Sequence, residues 1–157
     1  MTTRKRTRNH MEFACACGAT HFQTDGEPLF RILCHCSICQ RYNSAPFADV
    51  LVFRAEDVSM PPPGAVEFET YKPPPNVKRG KCAKCAQPAI EVFIVPVFPK
   101  LVMVPTPMLS IEAELPAPKA HIFYDKRVSD AQDDYPKHRG FLKSQLAFMS
   151  YLRSAKR

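Results

Sequence analysis

Residues 34–39 read Cys-His-Cys-Ser-Ile-Cys, so three cysteines share one short stretch of chain. Two pairs flank this triplet: a Cys-x-Cys at Cys15 and Cys17, and a Cys-x-x-Cys at Cys82 and Cys85. Such spacings are typical of short turns that hold tetrahedral zinc through thiolates. The chain has seven cysteines, so the two pairs can close one four-thiolate site. The triplet would then leave one position open on a second metal, as catalytic zinc sites do.

Disulfides are the first alternative use of these cysteines. Small disulfide-rich domains are usually secreted and carry an even number of cysteines. Here the number is odd, and residues 1–10, MTTRKRTRNH, are hydrophilic. No apolar stretch has the length of a membrane helix. We therefore expect a reduced, cytoplasmic protein that uses its thiols for metal.

A closed second site is the other alternative. Both zinc ions would then be structural, and a histidine would complete the triplet. The candidates by composition are His21, His35, His121 and His138. His35 suits this role least, because it lies between two ligands and adjacent side chains diverge.

The length and charge favour one domain with basic ends. A chain of 157 residues fits a single domain; we predict a disordered basic arm at 1–10 and one zinc-binding domain over 11–157. The net charge of +7 arises at the two ends, because residues 11–136 hold 12 basic and 15 acidic side chains. Nucleic-acid domains more often carry basic residues on the folded surface, so nucleic-acid binding is not favoured.

The apolar runs predict a mainly β fold. Proline is abundant, with 16 residues, and marks turns and sheet edges. The predicted strands are 20–24, 29–33, 47–53, 66–71, 89–95, 101–104 and 121–124. The run 47–53 is almost continuously apolar and is expected to be central.

Two helices complete the predicted fold. A short helix is expected after Cys36, and a C-terminal helix over 140–155. The latter has an apolar stripe of Phe141, Leu142, Leu146, Phe148, Met149 and Leu152. Such a stripe usually packs on its own sheet, with a homodimer contact or a membrane surface as alternatives.

A four-thiolate site would join parts of the chain that are distant in sequence. The large free energy of zinc binding can fix the pairing of strands that are distant in sequence. The second pair is surrounded by cations, namely Lys78, Arg79, Lys81 and Lys84, which can stabilise the negative charge of the site. Binding an anionic ligand through its phosphate or carboxylate is the alternative role. Gly18 is expected to let backbone amides turn toward sulfur.

The order of the motifs resembles one known family. Cys-x-Cys-Gly at 15–18, the triplet with Ala-Pro-Phe at 45–47, the pair at 82 and 85, and His-Ile-Phe-Tyr-Asp at 121–125 occur in that order, followed by Asp-Asp-Tyr-Pro at 133–136. This pattern is similar to that of the glutathione-dependent formaldehyde-activating enzymes, a family that includes centromere protein V. The resemblance runs from about residue 11 to residue 138.

The resemblance implies a fold, two zinc ions per chain and an activity. The fold would be a tent-like arrangement of antiparallel β-sheets. A structural Zn²⁺ would lie on Cys15, Cys17, Cys82 and Cys85, and a catalytic Zn²⁺ on Cys34, Cys36 and Cys39. The activity would be that of a carbon–sulfur lyase or synthase acting on a thiol–aldehyde adduct such as S-hydroxymethylglutathione.

The chain departs from the usual pattern of the family at three points. Ala86 follows Cys85 where glycine is common, and Gln40 stands between the triplet and Arg41. The chain also has no tryptophan, although the family commonly has one between the last two motifs. These changes concern the substrate pocket and leave both sets of thiols intact.

The expected chemistry needs a thiol, an aldehyde and groups that orient them. The second zinc would hold the thiolate or polarise the aldehyde oxygen, and three donating thiolates favour the first role. Arg41 and Arg54 are candidates for binding the carboxylates of glutathione, although surface solvation explains either residue as well. His121, Asp133 and Asp134 are candidates for proton transfer, with loop capping as the alternative.

Three other functions remain open at this stage. A thiol carrier would bind glutathione without catalysis. An interaction module for protein or nucleic acid would use zinc only as a scaffold. A related enzyme would act on a different thiol or aldehyde.

Overall fold

The computed structural model describes residues 10–73, 76–109 and 114–155. Within these ranges the chain forms ten strands, two α-helices and three short 3-10 helices. The strands are β1 His10–Ala14, β2 His21–Asp25, β3 Phe30–Cys34, β4 Ala48–Arg54, β5 Val58–Ser59, β6 Val66–Glu69, β7 Val77–Cys82, β8 Pro88–Phe93, β9 Leu101–Pro105 and β10 His121–Ile122. The helices are α1 Ser37–Asn43 and α2 Phe141–Ser154. The predicted mainly β fold with two helices is confirmed.

The strands form two sheets. A three-stranded sheet has the order β1-β2-β5, and a seven-stranded sheet has the order β10-β3-β4-β9-β8-β7-β6. Every neighbouring pair is antiparallel except β10 and β3, which run parallel with Ile122 opposite Cys34. This parallel pair makes the larger sheet mixed and brings the segment after residue 120 beside the cysteine triplet.

Strand β4 separates two hydrophobic cores. Its residues Val50, Leu51, Val52 and Phe53 are all buried, as its continuous apolar run predicts for a central strand. Leu51 and Phe53 belong to a core that also holds residues of β1 and β2. Val50 and Val52 belong to a second core that α2 covers. Since successive strand residues point to opposite faces, the two cores lie on opposite sides of the large sheet.

Three strands lacked a clear sequence signal. Strand β7 reads VKRGKC, and its charged residues conceal the alternation of inward and outward side chains. β1 adjoins the basic arm, and β5 has two residues. The predicted arm lies outside the described residues except for His10, which begins β1.

Helix α2 is only partly covered. Leu152 is 3% exposed, whereas Phe141, Leu142 and Leu146 are 61–70% exposed. The prediction that the apolar stripe packs on the sheet therefore holds for the C-terminal half of the helix. Within the described ranges, no helix is both long and apolar enough to cross a membrane.

Candidate metal centres and cavity

The two cysteine pairs meet at one end of the molecule. Cys15 and Cys17 follow β1, Cys82 ends β7, and Cys85 lies in the turn before β8. The Sγ atom of Cys15 is 3.4 Å from that of Cys17 and 3.6 Å from that of Cys82. A tetrahedral zinc with Zn–S bonds of about 2.3 Å needs sulfur atoms about 3.8 Å apart. The four sulfurs, mutually within 4.8 Å, therefore fit a zinc ion.

Left-handed backbone turns shape this cluster. Gly18 has a φ of 75° and donates its N–H to the carbonyl of Cys15 at 3.0 Å. Ala86, at the position where the resemblance favours glycine, has a φ of 62° and donates to the carbonyl of Cys82 at 2.8 Å. The turn is thus kept with alanine, a residue for which this conformation is costly.

Hydrogen bonds favour the thiolate at the buried end of this cluster. Burial raises the pKa of Cys82, but Thr20 and the backbone N–H groups of Cys85 and Lys84 outweigh it, so the pKa falls to about 6. Thiolates are the form that binds zinc. Of the four cations predicted to serve this site, Arg79 instead contacts Glu91, on the neighbouring strand.

The cysteine triplet lies where β3 passes into α1. Cys34 ends the strand, Cys36 is the N-cap of the helix, and Cys39 lies in its first turn. Cys36 Sγ accepts the backbone N–H of Cys39 at 3.3 Å. Hydrogen bonds from the thiols of Cys34 and Cys39 lower the pKa of Cys36 to about 3. The three sulfurs lie within 4.8 Å of one another and form a donor set suited to zinc.

The candidate histidines bind elsewhere. His35 Nε2 and His121 Nδ1 are 2.8 Å apart, and His121 Nε2 lies 2.9 Å from an oxygen of Asp133. Burial and then His121 lower the pKa of His35 to about 4. In the part of the chain that the structure describes, no histidine nitrogen or carboxylate oxygen joins the three sulfurs within 4.8 Å. The histidine pair instead braces the strand end that carries Cys34.

The remaining polar candidates are dispersed. His138 Nε2 lies 3.1 Å from the hydroxyl of Tyr151, and His21 and Asp134 are exposed. Of the three residues proposed for proton transfer, His121 and Asp133 are in contact with each other and do not join the three sulfurs.

Helix α1 is tied to the strands that carry the other cluster. The Tyr42 hydroxyl donates to the carbonyl of Gly80 at 2.5 Å, and it also lies 3.4 Å from that of Ile90. Gly80 needs the absence of a side chain, because a Cβ there would clash with a methyl of Val66. Gln40 donates to the carbonyls of His35 and Lys126 at 2.7 and 2.9 Å. The residue that departs from the family pattern thus fixes the loop of the triplet.

A cavity of about 790 Å³ opens in front of the triplet. All three cysteines line it, between the second core's face of the large sheet and helix α2. Most of its other lining residues are apolar, from Ile32 and Val50 on the sheet to Phe148 and Met149 on the helix. The charged lining residues are Lys72, Arg79, Glu91 and Lys126.

Glu91 is the acidic group of this cavity, and the sequence analysis missed it. Its side chain is 2% exposed, and its Oε2 atom lies 3.3 Å from Nε of Arg79. Its Oε1 atom accepts no hydrogen bond from the described residues. Burial raises the pKa of Glu91 to about 7. The signal available in the sequence was a single acid inside the apolar strand PAIEVF.

The predicted arginines lie outside the cavity. Arg41 is exposed and stacks over the ring of Tyr71, with 5.1 Å from its Cζ atom to the ring centroid. Arg54 ends β4. Neither residue is among those that line the cavity.

Comparisons with known proteins bear on this geometry. A family model described as glutathione-dependent formaldehyde-activating enzyme matches residues 10–126. A search of curated proteins gives no match. Among solved structures, a Rhodobacter sphaeroides protein from a structural genomics programme is similar, with 20% identity and a TM-score of 0.51 over 64% of this chain and 88% of that one. At this identity the structural likeness supports the fold alone.

Proposed function

The chain belongs to the family of glutathione-dependent formaldehyde-activating enzymes, and from this premise we propose that it makes or breaks the carbon–sulfur bond of a thiol–aldehyde adduct. In the forward direction the sulfur of glutathione bonds to the carbonyl carbon, and the thiol proton passes to the carbonyl oxygen. The reverse reaction is that of a carbon–sulfur lyase. The observation that carries the proposal is the cysteine triplet on the wall of a cavity large enough for a substrate.

The two cysteine groups would have different roles. Cys15, Cys17, Cys82 and Cys85 would hold a structural Zn²⁺ that joins the ends of β1 and β7. Cys34, Cys36 and Cys39 would hold a second Zn²⁺, which when bound would lower the pKa of an incoming thiol or polarise the aldehyde. Strand β3 and helix α1 fix these three sulfurs through the carbonyl and N–H contacts described above.

The cavity supplies groups for the proton and for the charges of glutathione. Glu91 lines the same cavity as the triplet, and its raised pKa of about 7 suits a group that accepts and returns a proton near neutral pH. Arg79 holds this carboxyl in place. Lys72 and Lys126 are exposed lining residues, and we assign the carboxylates of glutathione to them in place of Arg41.

X-ray absorption at the zinc edge tests the thiol-binding part of the proposal. We expect two zinc ions per chain, and we expect glutathione to raise the mean number of sulfur ligands by about half a sulfur per zinc. A shell with three sulfurs and one nitrogen that glutathione leaves unchanged would contradict the proposal. Exchange spectroscopy of glutathione with formaldehyde and with longer aldehydes then separates enzyme from carrier, because only an enzyme accelerates formation of an adduct.

A further inference from the structure

We infer that the aldehyde handled at this site carries an extended apolar chain, which lies in the cavity between the large sheet and helix α2. The inference rests on the proposed function, because it places the reacting carbon at the cysteine triplet. It names the substrate class as aliphatic or aromatic aldehydes larger than formaldehyde. The reaction balance is unchanged: the thiol sulfur bonds to the carbonyl carbon and its proton passes to the oxygen.

The size of the cavity is the first argument. Small-molecule sites usually measure roughly 300–1,000 Å³, and this cavity measures about 790 Å³. Formaldehyde has one carbon and is little larger than water, whose share of the liquid is about 30 Å³. With the charged groups of glutathione held at the solvent side, formaldehyde would therefore leave the apolar part of the cavity to solvent.

The lining of the cavity is the second argument. Both walls present hydrocarbon: Ile32, Val50 and Phe93 from the sheet, and Phe148 and Met149 from helix α2. Glutathione carries two carboxylates and an ammonium group, which lose hydration if they enter such a surface without partners. Its carboxylates therefore belong at the exposed lysines and its ammonium group in solvent, and an apolar substituent belongs between the walls.

The charge inside the cavity supports this orientation. Arg79 is 11% exposed and pairs with Glu91, so it already has a carboxylate partner. The exposed lysines Lys72 and Lys126 lie at the solvent side. These surroundings match a ligand whose thiol sulfur lies at the triplet. Its charged ends would then face solvent, and its alkyl chain would lie between the sheet and helix α2.

Binding of S-alkyl glutathiones to the zinc-loaded protein tests the inference. The series runs from S-methyl through S-butyl and S-hexyl to S-octyl glutathione, with affinities measured by isothermal titration calorimetry. Each methylene that enters an apolar site should lower the Kd by about fourfold until the cavity is full. A Kd that does not change with chain length would overturn the inference.

Matched variants locate the chain in the cavity. Met149→Trp should reduce the gain per methylene, because Met149 lines the cavity. Leu146→Trp, on the same helix but outside the lining, should leave it unchanged. A second pair uses exposed positions: Phe98→Lys, which lines the cavity, should also reduce the gain per methylene, and Val97→Lys, which is fully exposed and does not line it, should leave the gain unchanged.

The zinc-edge measurement and the S-alkyl glutathione series together distinguish failure of the inference from failure of the proposed function. If glutathione reaches the triplet zinc but chain length has no effect, the inference fails and the proposed function stands. If chain length matters and glutathione leaves the zinc shell unchanged, the thiol chemistry fails while the apolar site is supported. Equal effects of Met149→Trp and Leu146→Trp would overturn the placement between sheet and helix.

Discussion

The four-sulfur and three-sulfur clusters use the same ligand atom in contrasting surroundings. In the first, Cys15 and Cys82 are buried but Cys17 and Cys85 are exposed, and the sulfurs join two distant strand ends. In the second, Cys34 and Cys39 are buried and the sulfurs line a large cavity. The first cluster has four cysteine sulfurs, a full set for zinc, and the second has three with the cavity in front of them.

Under the proposed function, the structural and the reactive cluster differ in position as well as in ligand count. A metal at the surface can hold strands together without admitting a substrate. A metal beside a cavity with mostly apolar walls would interact more strongly with a bound ligand, because the surroundings have a low dielectric constant. Substitutions that affect one cluster and spare the other test whether the two clusters differ in role.

The largest expected effect comes from single serine substitutions in the two clusters. Structural zinc contributes about 10–16 kcal/mol in small zinc domains, which equals or exceeds the usual stability of a domain. We therefore expect Cys85→Ser to give insoluble protein. Cys36→Ser should give folded protein that has lost one zinc and its response to glutathione.

Soluble yield, thermal melting and zinc content measure this difference. A soluble Cys85→Ser protein with a cooperative melt would contradict the assignment of the four-sulfur cluster as a structural zinc site. A Cys36→Ser protein that keeps two zinc ions would contradict the assignment of the triplet.

A smaller effect should appear in the pH dependence of stability, and it should arise from Glu91, in the cavity beside the three-sulfur cluster. Burial raises the pKa of Glu91 from 4.5 to about 7. Between these values the unfolded chain loses this proton and the folded chain keeps it, so the free energy of unfolding falls as pH rises. Glu91→Gln removes this contribution, and the stability of the variant relative to wild type should rise by roughly 2–3 kcal/mol between pH 5 and 8.

Denaturant unfolding at pH 5, 6, 7 and 8 measures that difference. Glu67→Gln, an exposed acid on β6, is the control and should show little dependence on pH. A constant difference between Glu91→Gln and wild type would indicate that Glu91 is ionised throughout this range.

The smallest effect concerns the link between the clusters. The Tyr42 hydroxyl connects α1, which carries Cys39, to β7, which ends at Cys82. Tyr42→Phe removes a buried hydrogen bond and should cost about 1–3 kcal/mol of stability. Tyr71→Phe, on the ring that Tyr42 contacts edge-on, is the control.

Thermal melting and glutathione titration check this prediction together. If the hydrogen bond from Tyr42 to Gly80 positions the triplet, Tyr42→Phe should weaken glutathione binding as well as lower the Tm. A lowered Tm with unchanged binding would show that the two clusters are energetically independent.

The sequence was most informative where spacing alone determines proximity. The grouping of seven cysteines into four and three follows from short turns, and the structure brings both groups together. Strand β4 was predictable because its run is almost continuously apolar, and α1 because the Cys-x-x-Cys spacing of Cys36 and Cys39 suits a turn that leads into a helix. These are local properties of the chain.

The parts that the sequence analysis missed depend on distant contacts. Strand β7 is polar in sequence and is held by β6, β8 and the Tyr42 hydroxyl. Glu91 acquires its role from Arg79 across the β7–β8 pair. The cavity forms between the sheet and a helix far along the chain, so no local pattern predicted its size or lining.

Helix α2 lies wholly beyond the segment that matches the family, which ends at residue 126. All seven cysteines precede that boundary, whereas one wall of the cavity follows it. Under the proposed function, the zinc-binding cysteines and one wall of the substrate cavity therefore lie in successive segments of the chain. Substitutions in helix α2 would then change which aldehydes the cavity accepts and leave the cysteine ligands unchanged.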